Sequence, residues 1–147
     1  MGALDGITVG FIGLDGGGKE AATRIRSAGA TTYAWNKSAA IRYEIARAGI
    51  SLCHSETELA DKAAGNIIIL MHTPMDSLET LMDEDGAFLK NLAGDTIVID
   101  AGDTGSEEAK RYAARVQSKG ASWITPDADP STAHNRALPV LEYLGGH

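Results

Sequence analysis

The sequence predicts a doubly wound α/β fold, in which about six mostly parallel strands form one sheet with helices on both faces. Strand-like and helix-like segments alternate along nearly the whole chain, which is typical of sheets built from strand–helix–strand units. Residues 67–71 form a continuous apolar run, and residues 96–100 contain the apolar residues Ile97, Val98 and Ile99 in succession, as expected of strands that are covered on both faces. The first strand-like run leads directly into a glycine-rich turn and a helix.

Length and composition are those of one compact domain. The 147 residues are 44% hydrophobic, enough for a single core. Thirteen Lys and Arg against 20 Asp and Glu give a net charge of −7. With no basic cluster, this argues against nucleic acid and anionic membranes as main partners.

Cys53 is the single cysteine, so we expect neither a disulfide framework nor a metal site. No apolar run approaches the roughly 20 residues of a membrane span, and residues 1–6 lack the charged region of a signal peptide. We therefore expect a soluble, cytoplasmic protein.

The first half of the chain contains three predicted pairs of a strand and a helix. In order, they are a strand over 7–12 and a helix over 17–28, a strand over 31–35 and a helix over 38–48, and a strand over 51–53 and a helix over 56–63. The second strand is rich in β-branched and aromatic residues, as strands are. Gly29 and Gly49 end the first two helices, and Ser55 with Glu58 predicts a capping box for the third.

The second half continues the alternation as far as residue 125. In order, it contains a strand over 67–71, a helix over 76–82, a short amphipathic turn over 87–92, a strand over 96–100, a helix over 105–119 and a strand over 121–125. Charges on the long helix recur at i, i+3 and i+4, which predicts a solvated face stabilised by local pairs. These charges are Glu107, Glu108, Lys110, Arg111 and Arg115. Prolines interrupt the remaining segment, where residues 131–143 predict one helix or two short ones.

A glycine loop follows the first strand, with the sequence Gly-Leu-Asp-Gly-Gly-Gly over residues 13–18. A strand, a glycine turn and a helix N-terminus form a phosphate cradle, because free N–H groups and the helix dipole point the same way. The dinucleotide fingerprint G-x-G-x-x-G would place glycine where this chain has Asp15. A carboxylate about 4 Å from a phosphate charge costs on the order of 4 kcal/mol at an effective dielectric near 20. Asp15 therefore weakens dinucleotide binding, although the adjacent glycines allow the backbone to shift.

The same loop fits a second template. Gly13-x-x-x-x-Gly18-Lys19 matches a P-loop except that Glu20 replaces the hydroxyl residue that holds magnesium. Asp100 could then supply the second acidic group, and Asn36 with the following lysine could read guanine. Because Glu20 would repel the ligand and the guanine motif lacks its Asp, a degenerate P-loop nucleotide binder is an alternative interpretation.

A polar segment ends the second predicted strand, 23 residues after Gly13. An acidic residue there would bind the ribose of NAD, whereas the neutral Asn36 followed by the cation Lys37 suits the 2′-phosphate of NADP. NADP is therefore the predicted cofactor. The simpler interpretation of the segment is a solvated turn in which Ser38 caps a helix.

Several short motifs along the chain stand in the same order and spacing as in a known protein family. They are Phe11-Ile12-Gly13-Leu14, Gly18-Lys19-Glu20, Trp35-Asn36-Lys37-Ser38, Ile69-Leu70-Met71 before Thr73-Pro74, Asp85-Gly86 and residues 94–100. Together they resemble the N-terminal cofactor domain of the β-hydroxyacid dehydrogenases, which include 3-hydroxyisobutyrate and 6-phosphogluconate dehydrogenases. The resemblance implies a Rossmann-like dinucleotide-binding domain over residues 1–125, and we assign residues 126–147 to a helical extension of the same domain. In that family a second, all-helical domain carries the catalytic lysine, so we expect no catalytic residue in this chain.

The chain departs from the family pattern near the ligand. Asp15 replaces a glycine, His72 replaces a proline in the turn beside the cofactor, and Asp103 and Asp129 lie in segments near the nicotinamide and the substrate. Three carboxylates predict either an anionic pocket for a divalent cation or the loss of selection for the cofactor, in a natural or designed chain, and we favour the second. His72 titrates near neutrality and could act as an acid, but a packed or solvated histidine is the simpler interpretation.

These observations define the predicted site and function. The predicted cofactor-binding residues are Gly13, Leu14, Asp15, Gly16, Gly17, Gly18, Asn36, Lys37, Ser38, Met71, His72, Thr73 and Asp103. We expect an NADP-preferring dinucleotide-binding domain that does not catalyse a reaction alone. The alternative is a non-catalytic Rossmann module, whether a pseudoenzyme, a designed scaffold or an assembly partner. An uncovered apolar face would favour self-association, and we expect the contact to lie within residues 126–144.

Overall fold

The computed structural model describes residues 2–14, 18–36, 38–71, 75–83, 85–101, 106–126 and 132–144. Its strands are β1 (Thr8–Ile12), β2 (Thr31–Trp35), β3 (Ser51–Leu52), β4 (Ile67–Leu70), β5 (Ile97–Asp100) and β6 (Ser122–Ile124). They form one sheet in the order β3-β2-β1-β4-β5-β6, and every neighbouring pair is parallel. The predicted doubly wound, six-stranded α/β fold is confirmed.

The helices alternate with the strands and begin and end close to the predicted residues. They are α1 (Gly18–Ser27), α2 (Ala39–Arg47), α3 (Glu56–Lys62), α4 (Met75–Leu81), α5 (Ala87–Lys90), α6 (Ser106–Gln117) and α7 (Thr132–Leu144). Ser55 accepts a hydrogen bond from the Glu58 backbone N–H at 3.1 Å. In a capping box the Glu58 carboxylate would in turn accept a hydrogen bond from the Ser55 backbone N–H. Here it accepts instead from the His54 backbone N–H, one residue earlier. None of the helices in the described ranges is long and apolar enough to cross a membrane.

Apolar side chains cover both faces of the sheet, which explains the continuous apolar runs. One core contains Phe11, Ile69 and Ile99 together with buried residues of α1, α2 and α7. The other contains Ile68 and Val98 with buried residues of α3, α4, α5 and α6. Successive residues of one strand thus enter opposite cores, and neither face of the central strands is left polar.

Gly10 in β1 allows α3 to approach the sheet. A Cβ atom at this position would lie 2.9 Å from Leu59 Cδ2 and 3.4 Å from Ala63 Cβ. Leu59 and Ala63 are themselves fully buried. The absence of a side chain at Gly10 therefore determines how closely α3 packs on the central strand.

The C-terminal segment forms one helix in spite of Pro139, which lies inside α7. Ala137 and Val140 of this helix are fully buried in the first core. Arg24 Nε of α1 donates a hydrogen bond to Tyr143 O at 3.2 Å. Packing against α1 and the core compensates for the backbone hydrogen bond that proline cannot donate.

An ion pair connects α4 and α6. Arg111 Nη2 lies 2.9 Å from Glu79 Oε1, and Tyr112 donates its hydroxyl to the same oxygen. The Tyr112 hydrogen bond, followed by Arg111, lowers the pKa of Glu79. Burial, followed by the bond to Glu79, raises the pKa of Tyr112 to about 12. The sequence spacing indicated pairs within α6, whereas Arg111 pairs with a different helix.

Candidate functional site: the carboxyl edge of the central strands

The strand order reverses between β1 and β4. From β1 the chain continues to β2 and β3 on one side, and from β4 it continues to β5 and β6 on the other. The last residues of four strands lie in register, so Trp35, Ile12, Leu70 and Asp100 form one row at the carboxyl edge. In open parallel sheets this crevice is where ligands bind, and the order 3-2-1-4-5-6 is that of dinucleotide-binding domains.

Gly13 begins the loop after β1 with a left-handed backbone, at φ 79°. Its N–H donates to Trp35 O at 3.0 Å, so it also extends the ladder between β1 and β2. Because side chains strain this region of φ, glycine is favoured here. The predicted loop therefore starts where the sequence placed it.

Leu14 and Gly18 bring the two ends of the loop close together. The Leu14 side chain is 2% exposed and lies in the first core. A Cβ atom at Gly18 would lie 3.2 Å from Leu14 Cδ2 and 3.4 Å from Gly13 O. Since α1 begins at Gly18, the positive end of that helix follows the glycine loop directly.

Asn36 contacts the loop from the end of β2. Its Oδ1 accepts a hydrogen bond from Leu14 N–H at 2.7 Å, and the residue is 3% exposed. The sequence placed Asn36 beside the ribose of the cofactor. In the structure its carbonyl oxygen is bonded to the chain itself.

Arg42 of α2 supports Asn36. Its Nη1 donates to Asn36 O at 2.9 Å, and its guanidinium carbon lies 5.2 Å from the centre of the Trp35 ring. Ser38 caps α2 by accepting from Ile41 N–H at 3.4 Å. Sequence reasoning did not identify Arg42. The sequence did contain a signal for this contact. Arg42 lies one helical turn after the capping serine, and a long side chain at that position can reach back to the end of β2.

Met71 and Asp100 mark the opposite side of the crevice. Met71 N–H donates to Ile12 O at 3.0 Å, while the Met71 side chain is buried in the first core. Its backbone therefore lies beside the end of β1. Asp100 is 5% exposed and is two strands away from β1.

The remaining predicted site residues lie outside the described ranges. They are Asp15, Gly16, Gly17, Lys37, His72, Thr73 and Asp103, and their assignment stays a prediction. Asp129, the third carboxylate of the hypothetical cation pocket, also lies outside these ranges. Among the residues that the structure describes, no group of three His, Cys, Asp or Glu side chains could hold a metal ion.

Comparison with known proteins gives consistent matches. The sequence profile of the NAD-binding domain of 6-phosphogluconate dehydrogenase matches residues 8–127. The 2-(hydroxymethyl)glutarate dehydrogenase of Eubacterium barkeri is 26% identical over 139 residues, which are 95% of this chain and 46% of that protein.

Solved structures show the same fold. Mycobacterium tuberculosis 3-hydroxyisobutyrate dehydrogenase with L-serine aligns with a TM-score of 0.78 and 18% identity, over 94% of this chain and 52% of that one. Psf3 in complex with NADP+ and 2-OPP aligns with a TM-score of 0.80 and 22% identity, over 92% of this chain and 54% of that one. The chain thus spans about half the length of these relatives.

Proposed function

Because the chain belongs to the family of the NAD-binding domain of 6-phosphogluconate dehydrogenase, we propose that it binds a nicotinamide dinucleotide with a preference for NADP and does not catalyse a reaction alone. The observation that carries this proposal is the loop at the point where the strand order reverses, with Gly13 and Gly18 at its ends. A bound dinucleotide would supply hydride transfer at its nicotinamide ring.

The described residues fit such a cofactor. A Cβ atom at Gly18 would make tight contacts with Leu14 Cδ2 and Gly13 O, at 3.2 and 3.4 Å, so a larger residue there would push against the loop. The N-terminus of α1 offers free N–H groups for a pyrophosphate. The end of β2, with Asn36 and Ser38, would lie beside the adenosine ribose.

The preference for NADP is supported by charge at the end of β2. Asn36 is neutral, so no carboxylate at this position repels a 2′-phosphate, and Lys37 follows it in the sequence. Arg42 adds a half-buried guanidinium close by. Psf3 is an example of a protein of the same fold in complex with NADP+.

The proposal that the domain does not catalyse a reaction alone is supported by the part of its relatives that it matches. The chain covers about half of its relatives, and the resemblance places the catalytic lysine in the domain that follows. We therefore propose that a second domain or a partner completes the substrate site.

Thermal unfolding with NADPH, NADH and GTP in parallel tests the proposal. Ligand at about 100 times its Kd stabilises the folded chain by roughly 2.7 kcal/mol, so NADPH should raise Tm most, NADH less and GTP not at all. Gly18→Val should abolish the shift, whereas Gly94→Val, where a Cβ would lie 3.7 Å from the nearest atom, should retain it. No shift with either dinucleotide would favour the non-catalytic module, and a magnesium-dependent shift with GTP would favour the P-loop interpretation.

Self-association through the C-terminal segment is a further part of the proposal. Leu138 of α7 is 42% exposed, while Ala137 and Val140 pack in the core of their own chain. The outer face of α7 is thus the part available for contact. Sedimentation velocity should show a dimer that Leu138→Lys dissociates, and a monomer at all concentrations would contradict this contact.

A further inference from the structure

The carboxamide of Asn36 joins two segments that are far apart in the sequence. We propose that Asn36 is a positioning residue that holds the glycine loop through Leu14, so that the affinities for NADP and for NAD depend equally on this hydrogen bond. The inference rests on the proposed function only for its consequences for binding. The hydrogen bond itself is formed within the chain.

The geometry fixes the orientation of the Asn36 side chain. Leu14 N–H can only donate, so the Asn36 atom 2.7 Å away must be the carbonyl oxygen. Both residues are almost fully buried, at 3% and 2% exposure. Since water has little access, loss of this acceptor would leave the Leu14 N–H unsatisfied.

The backbone of Asn36 is also held in place. Arg42 donates to Asn36 O at 2.9 Å and lies over the Trp35 ring. Gly13 N–H donates to Trp35 O. Two successive residues at the end of β2 thus bind two successive residues at the start of the loop. The path into the loop is therefore fixed by contacts within the chain.

This role separates two kinds of substitution. Asn36→Ala removes the acceptor, so the loop must be ordered when a ligand binds, which should weaken both dinucleotides by the same factor, about 5-fold or more. Asn36→Asp keeps an oxygen for Leu14 N–H but adds a negative charge. It should retain NADH affinity and reduce NADPH affinity at least tenfold, because the charge repels the 2′-phosphate.

The experiment has one arm without cofactor and one with it. Hydrogen exchange of the Leu14 amide, followed by NMR on the whole chain, should be at least tenfold faster in Asn36→Ala than in the wild type or in Asn36→Asp. Titration with NADPH and NADH then gives both affinities for each variant. Thr96→Val is the matched control, because Thr96 is also buried and its hydroxyl accepts a backbone N–H, from Gly65 at 3.0 Å, at the opposite edge of the sheet. Thr96→Val should change neither the exchange rate of the Leu14 amide relative to the wild type nor the ratio of the NADPH and NADH affinities.

The outcomes are distinguishable. Unchanged exchange of Leu14 in Asn36→Ala would overturn the proposal, as would a loss confined to NADPH in that variant. If the wild type binds neither dinucleotide, the proposed function fails, while the exchange arm still decides whether Asn36 holds the loop.

Discussion

At the scale of single residues, Asp15 is the group most expected to limit affinity. It occupies a glycine position of the fingerprint, and a carboxylate about 4 Å from a phosphate charge costs on the order of 4 kcal/mol. Asp15→Gly should therefore strengthen NADPH binding by up to about a thousandfold, measured by titration calorimetry. Asp85→Gly, which removes one charge from an exposed turn, is the control. Equal affinity in the wild type and in Asp15→Gly would mean that the carboxylate turns away from the ligand.

Cys53 gives a prediction for the pH dependence of stability. Burial, followed by the nearby Glu58 carboxylate, raises the pKa of its thiol from 9.0 to about 11. Between these values the unfolded thiol loses its proton while the folded one keeps it, so this contribution to stability is present below pH 9 and lost as pH rises to 11. Urea unfolding of Cys53→Ala should show a smaller loss between about pH 8 and pH 10.5 than the wild type. An equal loss in both would assign the effect to other groups, such as Tyr112.

The motifs of the sequence indicate which residues lie at the carboxyl edge of the sheet, but not their contacts. Gly13, Gly18 and Asn36 follow from motifs with fixed spacing. The bond from Asn36 to Leu14 crosses 22 positions, and its existence depends on how β1 and β2 align, which no local pattern specifies. The bond from Arg111 to Glu79 was not predictable for the same reason, because Glu79 becomes a neighbour only when α4 and α6 pack together.

At the scale of elements, the packing of α3 on β1 depends on Gly10. Gly10→Ala places a Cβ 2.9 Å from Leu59 Cδ2, and overpacking of this kind costs about 1–3 kcal/mol. Gly94→Ala adds the same methyl where only ordinary contacts exist and should be close to neutral. Urea unfolding measures both changes. If the two variants are equally stable, α3 can move away from the sheet at little cost.

Element positions were predictable because their signals are local. Capping serines, terminal glycines and uninterrupted apolar runs mark them in the sequence, and the structure places their ends within a few residues. The strand order was not predictable to the same extent, since several orders satisfy the same alternation of elements. Because of Pro139, the sequence allowed either one helix or two short ones in the C-terminal segment. The structure has one helix, α7, which is held by its packing against α1.

At the scale of the whole molecule, we expect α7 to belong to the same cooperative unit as the sheet. It buries Ala137 and Val140 in the first core and accepts the bond from Arg24. We therefore expect a chain ending at residue 126 to lose about 3 kcal/mol or more of unfolding free energy, since several apolar side chains become exposed. Removal of residues 145–147 alone is the control. An unchanged unfolding midpoint after removal of α7 would show that residues 126–147 are a separate appendage.

The central position of β1 has a consequence for synthesis on the ribosome. The chain makes the middle of its sheet first, adds β2 and β3 on one side, and completes the other side only when β4 emerges at residues 67–70. Until then one edge of β1 is an open row of backbone donors and acceptors that another strand could join. A nascent chain therefore exposes this edge until β4 pairs with β1, and slower translation before that point would prolong the exposure.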